Sequence, residues 1–65
     1  MPVFFIHSQD VVDGLVTIVD PLLTHLSKSL RTKPGDSLLF NDDQGHRYHT
    51  TVTQITKQSL QASIQ

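Results

Sequence analysis

The sequence predicts a mainly β domain, a small and partly closed β-barrel of about five strands with one short helix. Three observations point to it. Turn formers cut the chain into short pieces at Asp13-Gly14, Lys33-Pro34-Gly35-Asp36 and Asn41-Asp42-Asp43-Gln44-Gly45. Most pieces between these turns are apolar runs or alternate apolar with polar residues, the period of a strand. Only the stretch after Asp20-Pro21 spaces its leucines as a helix does.

The elements follow in order. Val3 to Ile6 is an apolar run bounded by Pro2 and "HSQD", and reads as a buried strand. After the Asp13-Gly14 turn, Leu15 to Val19 is rich in β-branched and apolar residues and forms a second strand able to pair with the first. Asp20 suits an N-cap and Pro21 the first helical position. A helix from about Pro21 to Ser29 then carries Leu22, Leu23, Leu26 and Leu30 on one apolar stripe, with His25, Lys28 and Arg31 off it. Lys33-Pro34-Gly35-Asp36 fits a type II turn, in which Pro presets φ and Gly supplies the positive φ. Leu38 to Phe40 is a strand, and "NDDQG" connects it to the next as a hairpin. Arg47 to Ile55 places Tyr48, Thr50 and Val52 on one face, while Ile55 has the wrong parity, so a bulge is expected near Thr53-Gln54. Leu60, Ala62 and Ile64 alternate with polar residues in a half-buried last strand.

At 65 residues the chain holds one domain, spanning residues 1–65. A domain of this size buries only about 60% of the surface its unfolded chain exposes. It has no cysteine, so neither a disulfide nor a thiolate metal site supports it, which fits a reducing compartment. No apolar stretch reaches the roughly 20 residues of a membrane span, and the first ten residues lack a basic region and a cleavage site. The chain stops directly after a strand-like pattern, so a downstream domain is expected.

Enzyme signatures are missing. The three glycines sit singly in turns, no glutamate is present, and the six serines belong to no nucleophile motif. Asp42 and Asp43 are adjacent in a hairpin loop, where aspartate favours turns by bonding backbone amides. His46 and His49 are three apart, an odd spacing that on a strand points them to opposite faces and not at one metal ion.

Charge is more informative. The net charge is −1, yet Lys28, Arg31 and Lys33 fall within six residues, with His25 just before them and no acid between Pro21 and Gly35. One reading is a solvated helix end, where cations suit the macrodipole. The other is a positive face that holds a phosphodiester backbone, with Lys28, Arg31, Lys33 and Arg47 as contacts and His25 and Tyr48 beside them. Three or four phosphates give a modest, salt-sensitive affinity with little reading of sequence.

The ordered set Phe4-Phe5, His25-Leu26, Leu30-Arg31, Lys33-Pro34-Gly35-Asp36, Leu39-Phe40-Asn41, Gly45 and Tyr48, closed by "ITKQSLQASI", resembles the N-terminal domain of the RsmE family of 16S ribosomal RNA uridine N3-methyltransferases. The resemblance covers essentially the whole chain. It implies a PUA-like barrel that helps bind 16S ribosomal RNA or the small ribosomal subunit in the cytoplasm. It also implies a following SPOUT domain, absent from this chain, that binds S-adenosylmethionine and forms the homodimer. The chain itself then carries no cofactor site and no catalytic residue. Arg31 matches the family's "LR" arginine, Lys33 the approach to the turn, and His25 the "HL" histidine. The sequence departs from the family at Val3, where many members carry arginine, at Ser29, and at Asn41-Asp42-Asp43. The competing expectation is a stand-alone β-barrel that binds another protein.

Overall fold

The computed structural model of the protein describes residues 2–65. Six strands form one sheet: β1 (Val3–Phe5), β2 (Val11–Val12), β3 (Leu15–Ile18), β4 (Ser37–Asn41), β5 (Arg47–Ile55) and β6 (Leu60–Ile64). Their order across the sheet is β1-β4-β5-β6-β3-β2. All neighbours are antiparallel except β1 and β4, which run parallel with Phe4 opposite Phe40.

The sheet is curled into a half-barrel, and chain connectivity requires this. β1 and β2 are its two edges, yet only a five-residue link with a 3-10 turn at Ser8–Asp10 separates them in sequence. Such a link reaches at most about 20 Å even when fully extended. The edges of a flat six-stranded sheet would stand about 24 Å apart. The edges must therefore approach each other.

Alternation decides the inside. Val16 and Ile18, Leu38 and Phe40, Thr50 and Val52, and Leu60 and Ala62 point inward and are buried. Leu23 and Leu26 close the core from the helical segment, and Ile6 joins them. Buried Thr50 satisfies its hydroxyl by donating to the Leu38 carbonyl at 2.9 Å. The expected bulge is present, as a register shift between Val52 and Gln54 that returns Ile55 to the packed face.

Three expectations need correction. The strands number six, not about five, because Val11–Val12 is itself a strand. It pairs with Leu15 and Val16 around a turn in which Asp13 (φ 51°) and Gly14 (φ 78°) are both left-handed. That is the two-residue hairpin turn whose twist matches flanking strands. Secondly, the first strand pairs with β4 instead of the strand after Asp13-Gly14. β2 already occupies that strand's free edge.

Thirdly, the helical segment spans the expected stretch, Leu22 to Ser29, but is wider over its second half than its leucine spacing suggests. One α-turn, α1 (Leu22–Thr24), passes into a π-turn at His25–Ser29. Pro21 takes the N-cap position, while the Asp20 carboxylate accepts from the Thr24 amide at 2.8 Å. The Leu30 amide donates to the His25 carbonyl, five residues back. The extra residue per turn carries Leu30 off the stripe, so Leu23 and Leu26 are buried but Leu30 is 45% exposed.

Candidate nucleic-acid interface

The π-turn ends in a left-handed residue, and that residue is Arg31 (φ 53°). A left-handed cap after a helix usually employs glycine, which has no Cβ to clash. Here the Thr32 amide returns to the Leu26 carbonyl at 3.0 Å, a Schellman-type closure widened by the π-turn. The chain thus turns sharply and leaves Arg31 exposed.

Lys33 follows on a braced turn. The Asp36 amide donates to the Lys33 carbonyl at 3.1 Å, and the Lys33 amide donates back to the Asp36 carboxylate at 3.0 Å. Gly35 (φ 96°) supplies the conformation a type II turn needs. Two further bonds of 2.8 Å, from the Gly35 amide to Val52 and from the Val52 amide to Asp36, fasten the turn to β5. His25 lies exposed on the helical segment, its ring edge-on to Phe4 with centroids 6.0 Å apart.

The other candidates lie elsewhere. Lys28 lines a hollow of about 470 Å³ with Asp20, Thr24, Ser27 and Lys57. Lys57 was not singled out from the sequence, because the fold and not the chain brings the β5–β6 turn to the helix. Arg47 pairs with Asn41 at the far end of β4, roughly 14 Å of strand away from the Lys33 turn. Its Nε donates to the Asn41 side chain at 3.1 Å. Tyr48 is half-buried and donates its hydroxyl to Asp42 at 2.6 Å. The six sequence-predicted residues therefore fall in three places. Arg31 and Lys33 lie on the segment that leads into β4, with His25 before them on the helical segment against Phe4 of β1. Lys28 sits by Lys57. Arg47 and Tyr48 sit at the β4–β5 hairpin.

Five of the six aspartates accept from backbone amides. Asp10 accepts the His7 amide, Asp20 the Thr24 amide, Asp36 the Lys33 amide, and Asp43 the Ser8 amide. Buried Asp42 accepts the Gln44 and His46 amides, each at 2.9 Å, as well as Tyr48. Burial pushes the Asp42 carboxyl up, but the Tyr48 hydroxyl, the two amides and the His46 ring outweigh it and lower its pKa to about 2. The Ser8 amide above all lowers Asp43, and the bond to Asp42 raises Tyr48. The ion pairs among the described residues are His7–Asp43 and His46–Asp42, so no lysine or arginine there has a carboxylate partner. Among the described residues no three histidine, cysteine or acidic side chains gather as metal ligands. No helix there is long and apolar enough to cross a membrane.

A curled β half-barrel, plugged by a short helix that ends in unpaired cations, defines a small domain of PUA-like fold. The chain belongs to the RNA methyltransferase PUA domain family, whose model matches residues 20–65. No curated protein matches the chain. Among solved structures, the ribosomal RNA small subunit methyltransferase E from Neisseria gonorrhoeae, bound to S-adenosyl methionine, is similar with a TM-score of 0.78 and 26% identity over 98% of this chain. A predicted RNA methyltransferase from Thermotoga maritima is similar with a TM-score of 0.82 and 22% identity over 97% of the chain. A hypothetical protein is similar with a TM-score of 0.85 and 15% identity over 97% of the chain. The latter two bear on the fold alone. The chain spans 27% of the length of each of these proteins.

Proposed function

We propose that this chain is the RNA-binding accessory domain of an S-adenosylmethionine-dependent 16S ribosomal RNA uridine N3-methyltransferase. In this role it orients ribosomal RNA, in the small subunit or its precursor, for a catalytic domain of SPOUT fold that follows it. Catalysis, the cofactor site and homodimer formation belong to that other domain, and the setting is the cytoplasm. No residue of this chain is assigned to the cofactor. Arg31 and Lys33 are the principal phosphate contacts, with His25, Lys28, Arg47 and Tyr48 as outer contacts.

One observation carries the reading. The aspartates described above bond to backbone amides, while Lys28, Arg31, Lys33, Arg47 and Lys57 are left without a carboxylate partner among the described residues. A domain of net charge −1 thereby presents cations that are not tied up in ion pairs, although Asp36 stands by Lys33 and Asp20 shares the hollow of Lys28 and Lys57, and unpaired cations suit a phosphodiester chain.

The test is a titration with a 16S ribosomal RNA segment at rising salt. Binding should weaken linearly in log[salt], with a slope of about −0.7 per phosphate for a single strand. The Arg31→Ala/Lys33→Ala double variant should bind about tenfold more weakly and with a shallower slope. Unchanged affinity in that variant would sink the site assignment. Absence of RNA binding, together with a salt-insensitive protein partner, would favour an interaction module instead.

A further inference from the structure

Between the helix end, β1 and the start of β4 lies an open groove of about 370 Å³, lined by Leu30 and Thr32 on either side of Arg31 in the chain. Its apolar lining comes from Phe4, Leu30 and Leu38, and Thr32, Ser37 and Asp36 add hydroxyls and a carboxylate. We infer that this groove holds one unpaired nucleobase of the RNA, next to the phosphates gripped by Arg31 and Lys33. The inference rests on the RNA-binding reading above and adds to it a base-binding subsite and a preference for single strands.

Four observations converge on the groove. Leu30 is a large apolar side chain left 45% exposed in a small domain that needs its apolar surface buried. It is exposed because the π-turn carries it off the helix stripe, and π-turns occur frequently at functional sites. The next residue, Arg31, is held left-handed at φ 53°, a conformation a non-glycine residue keeps only where the surroundings impose it. Finally, the chemistry matches one class of occupant. An unstacked base offers an apolar face to Phe4 and Leu30 and a polar edge to Thr32, Ser37 and Asp36. Its own phosphates are anionic, and Arg31 and Lys33, chain neighbours of the lining residues Leu30 and Thr32, have no carboxylate partner among the described residues. A wholly apolar partner would leave those cations and the polar rim unused. A paired base presents no free face.

The test uses the chain as it is, with three probes of equal charge per strand. These are a single-stranded RNA of about ten nucleotides, the same strand made abasic, and the same sequence in duplex. The intact single strand should bind about tenfold tighter than the abasic strand and tighter than the duplex, because base stacking adds to the phosphate contacts. Leu30→Ala should lose about fivefold on the intact strand and nothing on the abasic one. Arg31→Ala/Lys33→Ala should weaken both strands. The chain has no tryptophan, so the indole introduced by Leu30→Trp is a unique reporter. Its fluorescence should be quenched by the intact strand and unchanged by the abasic one. Equal binding of intact and abasic strands, or an indole indifferent to both while RNA binds, overturns the base subsite and leaves the RNA-binding domain standing. Failure of every probe to bind at low salt overturns the RNA reading and the subsite with it.

Discussion

Tyr48 donates its hydroxyl to Asp42 at 2.6 Å, and through that bond β5 holds the carboxylate that builds the β4–β5 turn. A buried carboxylate is tolerated here because each of its oxygens is met by hydrogen-bond donors. The bond acts on both partners, lowering Asp42 and raising Tyr48.

The lowered Asp42 makes stability depend on acid. Its pKa falls from 3.8 to about 2 on folding, so the stabilisation is complete above the unfolded value and vanishes as pH drops through the folded one. The melting temperature should therefore fall between about pH 4 and pH 2. Asp42→Asn should melt lower at pH 7 and show a flatter acid limb, the remaining slope belonging to Asp43. Thermal melts by circular dichroism across that range check this; an Asp42→Asn limb as steep as the parent's would refute it.

Arg31 combines an unfavourable backbone with an exposed charge, so one substitution should move two properties oppositely. Arg31→Gly relieves the left-handed strain and should stabilise the domain by about 1 kcal/mol. It also removes the guanidinium, so affinity for RNA should fall severalfold. Denaturant unfolding and RNA titration on the same sample read both signs.

Gly35 has no atom within 4 Å of where a Cβ would stand, so the cost of a side chain there is purely torsional. Gly35→Ala should destabilise by about 1–2 kcal/mol, lowering the melting temperature by several degrees. D-alanine, incorporated by chemical synthesis, accepts φ 96° and should match or exceed the parent. Equal losses for the two enantiomers would point to packing instead of backbone.

Phe40 is fully buried on β4, against Phe4 with ring centroids 6.3 Å apart. Phe40→Ala should cost about 3–5 kcal/mol. A chain of this length has roughly 3–10 kcal/mol in total, so much of the population should unfold at 37 °C. Phe40→Leu should stay folded. Far-ultraviolet circular dichroism and amide dispersion in a proton–nitrogen spectrum distinguish the two.

Much of this fold is legible in the residues themselves. Period-two alternation places Val16, Ile18, Thr50, Val52, Leu60 and Ala62 inside, and the broken parity of Ile55 announces the bulge. Pro34-Gly35 and the "NDDQG" loop mark their turns, because few residue types accept those torsions. The cations are equally plain in the sequence. Their grouping is not, since Arg47 lies a strand length from Lys33 while Lys57 comes to Lys28 from a distant turn.

What the sequence determined alone is local: where strands alternate, where turns fall, and which residues carry charge. Each follows from torsional preference or from one-dimensional periodicity. The tertiary structure decided the rest. Whether Val3–Phe5 joins β4 or β3 depends on which sheet edge stays free once Val11–Val12 has formed its hairpin. Whether Leu30 is core or surface depends on a π-turn that an α-helical wheel does not contain. Whether a carboxylate forms an ion pair with a cation depends on which donors the fold brings within its reach. These are competitions between partners distant in sequence, and only the closed fold selects the winner.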